Sequence, residues 1–270
     1  MGKFRLIAAA LICGLLALPA WADNLIFGVQ DYSKDPRMLE LQFRGMAKYL
    51  SRELGQPVIV EAVRSYGLYM QSAQNRRYAL MFGPPNMILQ AHAAGYDPVA
   101  RIPGRLSAAF VSLAQSGIAF PEDMKGKRLG MPDPDSLMAQ LAMSKLAQGR
   151  MSPERGFARV LVLKSPDDAL SALKLGLIDV GVVNSTLYEA WSARGYNLNL
   201  IAQSDSAPNL TFAVRNNLPA PLKAKLIKAL MAASRDPDAA SYFKITGFPG
   251  FEPASLKDLS GLAVLRPGAR

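Results

Sequence analysis

Short apolar runs of strand length alternate with longer segments of helical spacing, and this alternation limits the chain to one broad fold class. Asn24-Leu25-Ile26-Phe27-Gly28-Val29 reads as a buried strand. Leu39, Phe43, Met46, Ala47, Leu50 and Leu54 fall at helical spacing, and Gly55 with Pro57 ends that helix. Val58 to Val63 predicts a second strand, Tyr66 to Gln74 a helix, Tyr78 to Phe82 a third strand, Asn86 to Ala94 a helix, and Val99 to Ile102 the start of another strand. Strands alternating with helices require a mixed, mostly parallel sheet covered by helices on both faces.

The pattern restarts after Pro121. Arg128 to Met131, Phe157 to Leu163, Ile178 to Val183 and Leu198 to Ala202 read as strands. Helices over Ser136 to Ala147, Pro166 to Leu175 and Leu187 to Ala193 separate them. One more strand, Phe212 to Val214, precedes two helices over Leu222 to Ser234 and Asp238 to Ile245. These last elements have no place in the second module. Returned to the first, they give two α/β lobes, 23–104 plus 208–270 and 105–207, with crossings near Arg101 to Phe110 and Gln203 to Thr211. Open α/β sheets bind ligands at the carboxyl ends of their strands, so two facing sheets make a cleft.

The first residues predict export. Lys3 and Arg5 precede the apolar stretch Leu6 to Leu18, and Ala20-Trp21-Ala22 fits a cleavage site, so residues 1–22 read as a signal peptide. The apolar part is short of the roughly 20 residues that a membrane helix needs. Cys13, the sole cysteine, would leave with it, which removes disulfides, thiol nucleophiles and cysteine metal sites from the exported chain. The net charge of +10 falls to 10 − 2 = +8 without Lys3 and Arg5. The basic residues are scattered through Arg76-Arg77, Lys125 to Arg128 and Lys223 to Lys228, which argues against nucleic acid and gives a weak bias toward anionic partners.

The inventory for catalysis is poor. His92 is the only histidine, and no G-x-S-x-G elbow, H-E-x-x-H pair or P-loop occurs. Asp133/Asp135 and Asp167/Asp168 fit turns and helix starts. No cofactor, metal or enzymatic activity is expected. Strand ends are better furnished. Ser65-Tyr66, Gly83-Pro84-Pro85-Asn86, Asp135-Ser136 and Asn184-Ser185-Thr186 each fall at a predicted helix start, where free N–H groups and the dipole favour negative charge. Each alone is an ordinary cap; four on facing edges predict a site. Ser165 reads as a further cap on the lobe-two edge. Tyr32, Tyr66 and Tyr69 are candidate aromatics, with one of the last two facing the core.

The ordered motifs resemble the phosphate/phosphite/phosphonate-binding family of periplasmic solute-binding proteins, the PhnD-like receptors of ABC importers. The matching pieces include Phe27-Gly28-Val29, Tyr49 to Gly55 with Pro57-Val58, Ser65-Tyr66 and Phe82-Gly83-Pro84. Asp123 to Arg128, Asp133-Pro134-Asp135-Ser136, Gly176 to Asn184 and Phe212 to Arg215 continue the set. The resemblance implies a type II periplasmic-binding-protein fold with an interlobe cleft and a two-strand hinge. It implies capture of a small polar ligand, with a phosphonate- or phosphate-type oxyanion as the ligand class, for delivery to a membrane permease. The family site maps to Tyr66, Gly83-Pro84, Asp135-Ser136, Ser165 and Asn184. Tyr32, Asn86 and Ser185 join these as candidates from strand-end placement. Where family members often have Ser-Thr-Ser, this chain has Ser136-Leu137-Met138, and Met87 stands where an aromatic often follows the Gly-Pro turn. A monomer is expected. A receptor for a sensor kinase or chemoreceptor, and an exported enzyme on the same fold, are the alternatives.

Overall fold

A computed structural model describes residues 24–30 and 36–265. The predicted signal peptide, Cys13 and Tyr32 lie outside the described residues. In chain order the first half comprises β1 (Leu25–Gln30), α1 (Pro36–Leu54), β2 (Val58–Val63), α2 (Tyr66–Gln74), β3 (Leu80–Gly83), α3 (Pro85–His92) and β4 (Tyr96–Arg101). Then come β5 (Arg105–Leu106), β6 (Ala108–Leu113), β7 (Arg128–Met131), α4 (Leu137–Gln148), α5 (Pro153–Gly156) and β8 (Arg159–Val162). The chain continues through α6 (Pro166–Lys174), β9 (Val180–Asn184), α7 (Ser185–Ala193), β10 (Leu198–Gln203), β11 (Ala207–Pro208) and β12 (Thr211–Arg215). It ends in α8 (Ala220–Ala232), α9 (Ala240–Thr246), β13 (Glu252–Pro253), α10 (Leu256–Leu259) and a 3₁₀ segment over Ser260–Leu265.

The strands form two mixed sheets. One has the order β13-β4-β12-β3-β1-β2, and the other β10-β6-β9-β7-β8. Each has a parallel block of three strands, β2-β1-β3 and β9-β7-β8, extended by antiparallel neighbours. β12 returns from the second sheet to lie between β3 and β4 of the first. The two chain crossings pair with one another as the two-stranded ribbon β5-β11, Leu106 opposite Ala207. Arg105 tightens this ribbon by donating from Nε to the Ser206 hydroxyl at 2.7 Å and from Nη2 to the Ser206 carbonyl at 2.6 Å.

Two readings of the sequence need correction. The tract Arg101 to Phe110 is not simply a connection, because β6 begins inside it at Ala108 and occupies a central place in the second sheet. Its residues Ala108 to Val111 are fully buried. The run Phe157 to Leu163 is also shorter than expected as a strand. It opens after the α5 turn, pairs with β7 only from Arg159 to Val162, and is exposed at three of its four residues because it is the sheet edge. The C-terminal elements β13 and α10 have no counterpart in the predicted pattern.

Core packing explains the local sequence. Leu39, Phe43, Met46, Leu50 and Leu54 line the buried face of α1 and join β1, β3 and β12 side chains in one apolar cluster. Ser51 Oγ donates to the Ala47 carbonyl at 2.7 Å and accepts from Val58 N at 2.9 Å, which fixes the passage from α1 into β2. Gly28 is required by close approach: a Cβ there would lie 2.6 Å from the buried Tyr78 ring. A second cluster covers one face of the other sheet around Trp191 and Leu173. A third contains residues of both lobes, including Tyr69, Met81, Met87 and Ile88 with Phe110, Leu129, Leu137 and Leu141.

Arg128 anchors the base of the second sheet. Its guanidinium donates from Nη2 and Nε to Asp179 at 2.6 and 2.9 Å, and its backbone N–H reaches the same carboxylate at 2.8 Å. The Arg128 hydrogen bond, with smaller help from backbone and charge, holds the Asp179 carboxyl below its ordinary range against the opposing effect of burial. Stability from this pair is complete above the unfolded aspartate pKa of about 3.9 and is lost as pH falls through the lower folded value. Asp179→Asn is therefore expected to flatten the fall of urea midpoint with pH below about 4. A variant as acid-sensitive as the parent would refute this.

Candidate functional site

The parallel block of each sheet ends on a set of helix starts. In the first sheet, β1, β2 and β3 run together, with Gln30 opposite Val63 and Val29 opposite Phe82. The chain leaving β2 places Ser65 as the cap of α2, where its Oγ accepts from Leu68 N at 3.2 Å. Tyr66 opens α2 and is half-buried against the cluster shared by both lobes. Tyr69, one turn on, is the tyrosine that faces the core. Its hydroxyl is within 3.3 Å of the Gly28 carbonyl and 3.1 Å of the Phe82 carbonyl, which ties the ends of β1 and β3 together. Burial raises its phenol pKa well above the ordinary value, so it remains a proton donor.

Gly83 ends β3, and Pro84 and Pro85 carry the chain into α3, which starts at Pro85, one residue before the predicted start. All three are buried, as is Asn86. Proline has no N–H, and the Met87 N–H is taken by the Pro84 carbonyl at 3.0 Å. The start of α3 is therefore poor in backbone donors, and the Asn86 side chain supplies polar contact there instead.

In the second sheet, β7 leads to a turn in which Asp133 Oδ1 accepts from Asp135 N at 2.9 Å and the Asp133 carbonyl accepts from Ser136 N at 2.9 Å. This turn aims the chain into α4. Ser136 caps that helix, with its buried Oγ accepting from Ala139 N at 3.2 Å. The Asp135 side chain is exposed, and its carbonyl oxygen accepts from Asn86 Nδ2 of the other lobe at 3.2 Å. Leu137 is buried and Met138 packs on the shared cluster, so the positions without hydroxyls belong to its apolar packing.

Ser165 and Asn184 occupy cap positions of α6 and α7. Asn184 Oδ1 accepts from Thr186 N at 2.9 Å. Ser165 departs from expectation: its backbone is extended, as at the other caps, but its hydroxyl forms no capping bond. Its Oγ is buried without a hydrogen-bond partner, a group that a donor or acceptor from outside would satisfy. Ser185 faces the crossings instead. Its hydroxyl lies 2.9 Å from Ser107 Oγ, which in turn accepts from Gln203 Nε2 at 2.5 Å.

The structure thus brings Asn86 against Asp135 and Ser136, sets Ser185 in a network at the hinge, and keeps Ser165 at a separate strand end. Sequence reading missed Ser107, Gln140 and Gln203. Gln140 carried a usable signal, being one helical turn beyond the Ser136 cap and so on the same side of α4. His92 is exposed, with Nδ1 3.1 Å from the Tyr96 carbonyl. Among the described residues no group of three or more His, Cys, Asp or Glu side chains could hold a metal ion, and no helix is long and apolar enough to cross a membrane. A cavity of about 140 Å³ lies elsewhere, lined by Arg105, Leu141, Ser144, Ser206 and Leu262, where α4 meets the crossings and the C-terminal segment.

Three comparisons bear on identity. Residues 32–259 match the family model for the periplasmic substrate-binding protein of phosphonate ABC transporters. No curated protein sequence matches the chain. Among solved structures, a binding-protein component of a Pseudomonas aeruginosa ABC phosphonate transporter superposes with TM-score 0.75 at 19% identity, covering 90% of this chain and 85% of that one. The Prochlorococcus marinus PhnD1 protein in complex with methylphosphonate gives TM-score 0.78 at 15% identity, covering 90% and 96%. A Xanthomonas citri protein bound to ATP gives 0.76 at 15%, covering 92% and 99%. At these identities the structural likeness establishes the two-lobed type II fold, and the family match covers most of the chain. The chain belongs to the phosphonate-binding family of periplasmic substrate-binding proteins that serve ABC transporters.

Proposed function

We propose that this protein captures a small phosphonate- or phosphate-type anion between its lobes and presents it to an ABC permease. The observation that carries this reading is that helix starts follow the carboxyl ends of strands in both parallel blocks: α2 in one lobe, and α4, α6 and α7 in the other. Such ends offer N–H groups and a positive dipole to an anion. The α4 start, with Ser136 as its cap, holds the charged end, and Tyr66 covers the remainder. Gly83 and Pro84 shape the lobe-one wall, with Asn86 beside them, and Ser165, Asn184 and Ser185 furnish the second lobe. Tyr32 belongs to the same strand-end set by sequence.

On this reading lobe one takes residues 23–104 and 208–270, lobe two takes 105–207, and residues 1–22 are a leader removed on export. The protein acts as a monomer and performs no catalysis. The mature chain's lack of thiol nucleophiles and its single histidine support a binding role.

Calorimetry and native mass spectrometry with methylphosphonate, phosphite, phosphate and sulfate test the reading. One saturable site for at least one phosphorus oxyanion is the expected result, with Tyr66→Ala weakening it about tenfold, the equivalent of about 1.4 kcal/mol. No binding of any panel member would overturn the oxyanion assignment and leave the fold unaffected.

A further inference from the structure

Asn86 is 4% exposed and stands at the start of α3, yet its hydrogen bonds go to the other lobe. Nδ2 donates to the Asp135 carbonyl at 3.2 Å and to Gln140 Oε1 at 3.1 Å. Gln140 Nε2 reaches back to that same carbonyl at 3.4 Å. The amide orientation of Asn86 follows from chemistry, because a backbone carbonyl only accepts. Three groups therefore close a triangle that joins the start of α3 to the start of α4. Met87 on one side and Leu137 and Met138 on the other belong to the cluster shared by both lobes, so the triangle sits beside an apolar seam.

We propose that Asn86, the Asp135 carbonyl and Gln140 form an interlobe latch that closes the cleft through contacts of the protein with itself. A ligand is then not needed as the bridge between lobes, and the free protein already populates the closed form. The latch is not fully satisfied. Asn86 Oδ1 is buried with no hydrogen-bond partner, a cost that opening to water removes. Favourable contacts on Nδ2 set against an unpaired Oδ1 give an element that holds the lobes shut and still releases them. Two arrangements close in free energy are what a hinge-closing protein requires. The latch rests on the hinge of the two-lobed fold and is independent of which ligand the cleft takes.

Spin-label distance measurement on the full chain tests it. A Cys13→Ser background leaves no native cysteine. Leu68→Cys and Thr186→Cys place labels at exposed helix starts on opposite lobes. Without added ligand, one dominant short distance is expected. Gln140→Ala and Asn86→Ala should each shift most of the population to longer distances. The double variant should move it no further than the stronger single, since both cut one network. Gln140→Glu keeps the acceptor for Asn86 but loses the longer Nε2 contact to the Asp135 carbonyl, so it should lengthen the distance less than Gln140→Ala does. Far-UV circular dichroism and Trp191 fluorescence confirm folding of each variant. A long or broad distance in the parent, unchanged distances in both alanine variants, or an equal lengthening in Gln140→Glu would overturn the latch. Calorimetry with methylphosphonate on the same samples separates the two ideas, because absent heat with the expected distances sinks only the oxyanion reading.

Discussion

Phe212→Ala is expected to lower unfolding free energy by about 3–5 kcal/mol, the range for truncating a buried aromatic. Phe212 is 0% exposed and is the second residue of β12. Its ring centroid is 4.3 Å from that of Phe82, 4.7 Å from Phe251 and 6.0 Å from Phe27. The rings come from four separate elements or turns, so no local collapse refills the space. Total stability for a domain is about 5–15 kcal/mol, which makes the loss a large share of the whole. β12 is also the strand by which the chain re-enters the first sheet, between β3 and β4. Weakening it should loosen the lobe on both sides. Trp191 is the only tryptophan after residue 21 and is buried in the other lobe. Urea unfolding followed by both far-UV circular dichroism and Trp191 fluorescence then reports on coupling. The midpoints should fall together, because one apolar cluster spans the two lobes. A loss below about 1 kcal/mol would show that the ring cluster relaxes around the cavity.

The outcome for Phe212 depends on a feature that the sequence made visible. Phe212 to Val214 read as a strand with no place in the second module, and the excess strand implied a return. Alternation of strands and helices was equally plain, since β2, α2 and β7 have the bounds that their periodicity predicts. Caps at Ser65, Ser136 and Asn184 were legible because hydroxyl and amide side chains at a strand-to-helix passage have one cheap use. β6 was obscured because Pro103-Gly104 signals a break, while the short apolar run after it fits either a crossing or a buried strand. Ser165 misled for the opposite reason: residue type and extended backbone both suit a cap, but the hydroxyl makes no capping bond.

Contacts between lobes were not legible at all. Asn86 and Gln140 are separated by 54 residues, and nothing in either local pattern names the other. Periodicity tells which face of a strand or helix a residue occupies. It carries no information about which residue on a second sheet will face it, because that pairing is set by the hinge and by the shared apolar seam. The hydroxyl-free pair Leu137-Met138 is the nearest sequence correlate. Those residues read as an absence of anion donors, and the structure places them in the apolar cluster that holds residues of both lobes.

Asn86→Asp converts that seam into a pH-dependent one. The substitution keeps size and shape but replaces the Nδ2 donor with an oxygen. Two acceptors, the Asp135 carbonyl and Gln140 Oε1, would then face an acceptor at 3.2 and 3.1 Å. A buried carboxylate without a partner costs about 3–5 kcal/mol, so at neutral pH the closed form should give way. The exposed carboxylates of Asp133 and Asp135 flank the same turn and add repulsion. Burial and the facing acceptors raise the carboxyl pKa in the closed form and favour its protonated state, which restores a donor. A raised value fixes the direction: closure is complete below the unfolded pKa of about 3.9 and is lost as pH rises through the raised one. Interlobe distances measured on Leu68→Cys/Thr186→Cys should be short in acid and long at neutral pH for Asn86→Asp, and constant for the parent. Asn86→Leu removes the hydrogen bonds without adding charge, so its distance should lengthen and stay independent of pH. A short, pH-independent distance in Asn86→Asp would mean that the triangle bears none of the closing energy, and that the apolar seam of Met87, Leu137 and Met138 holds the lobes alone.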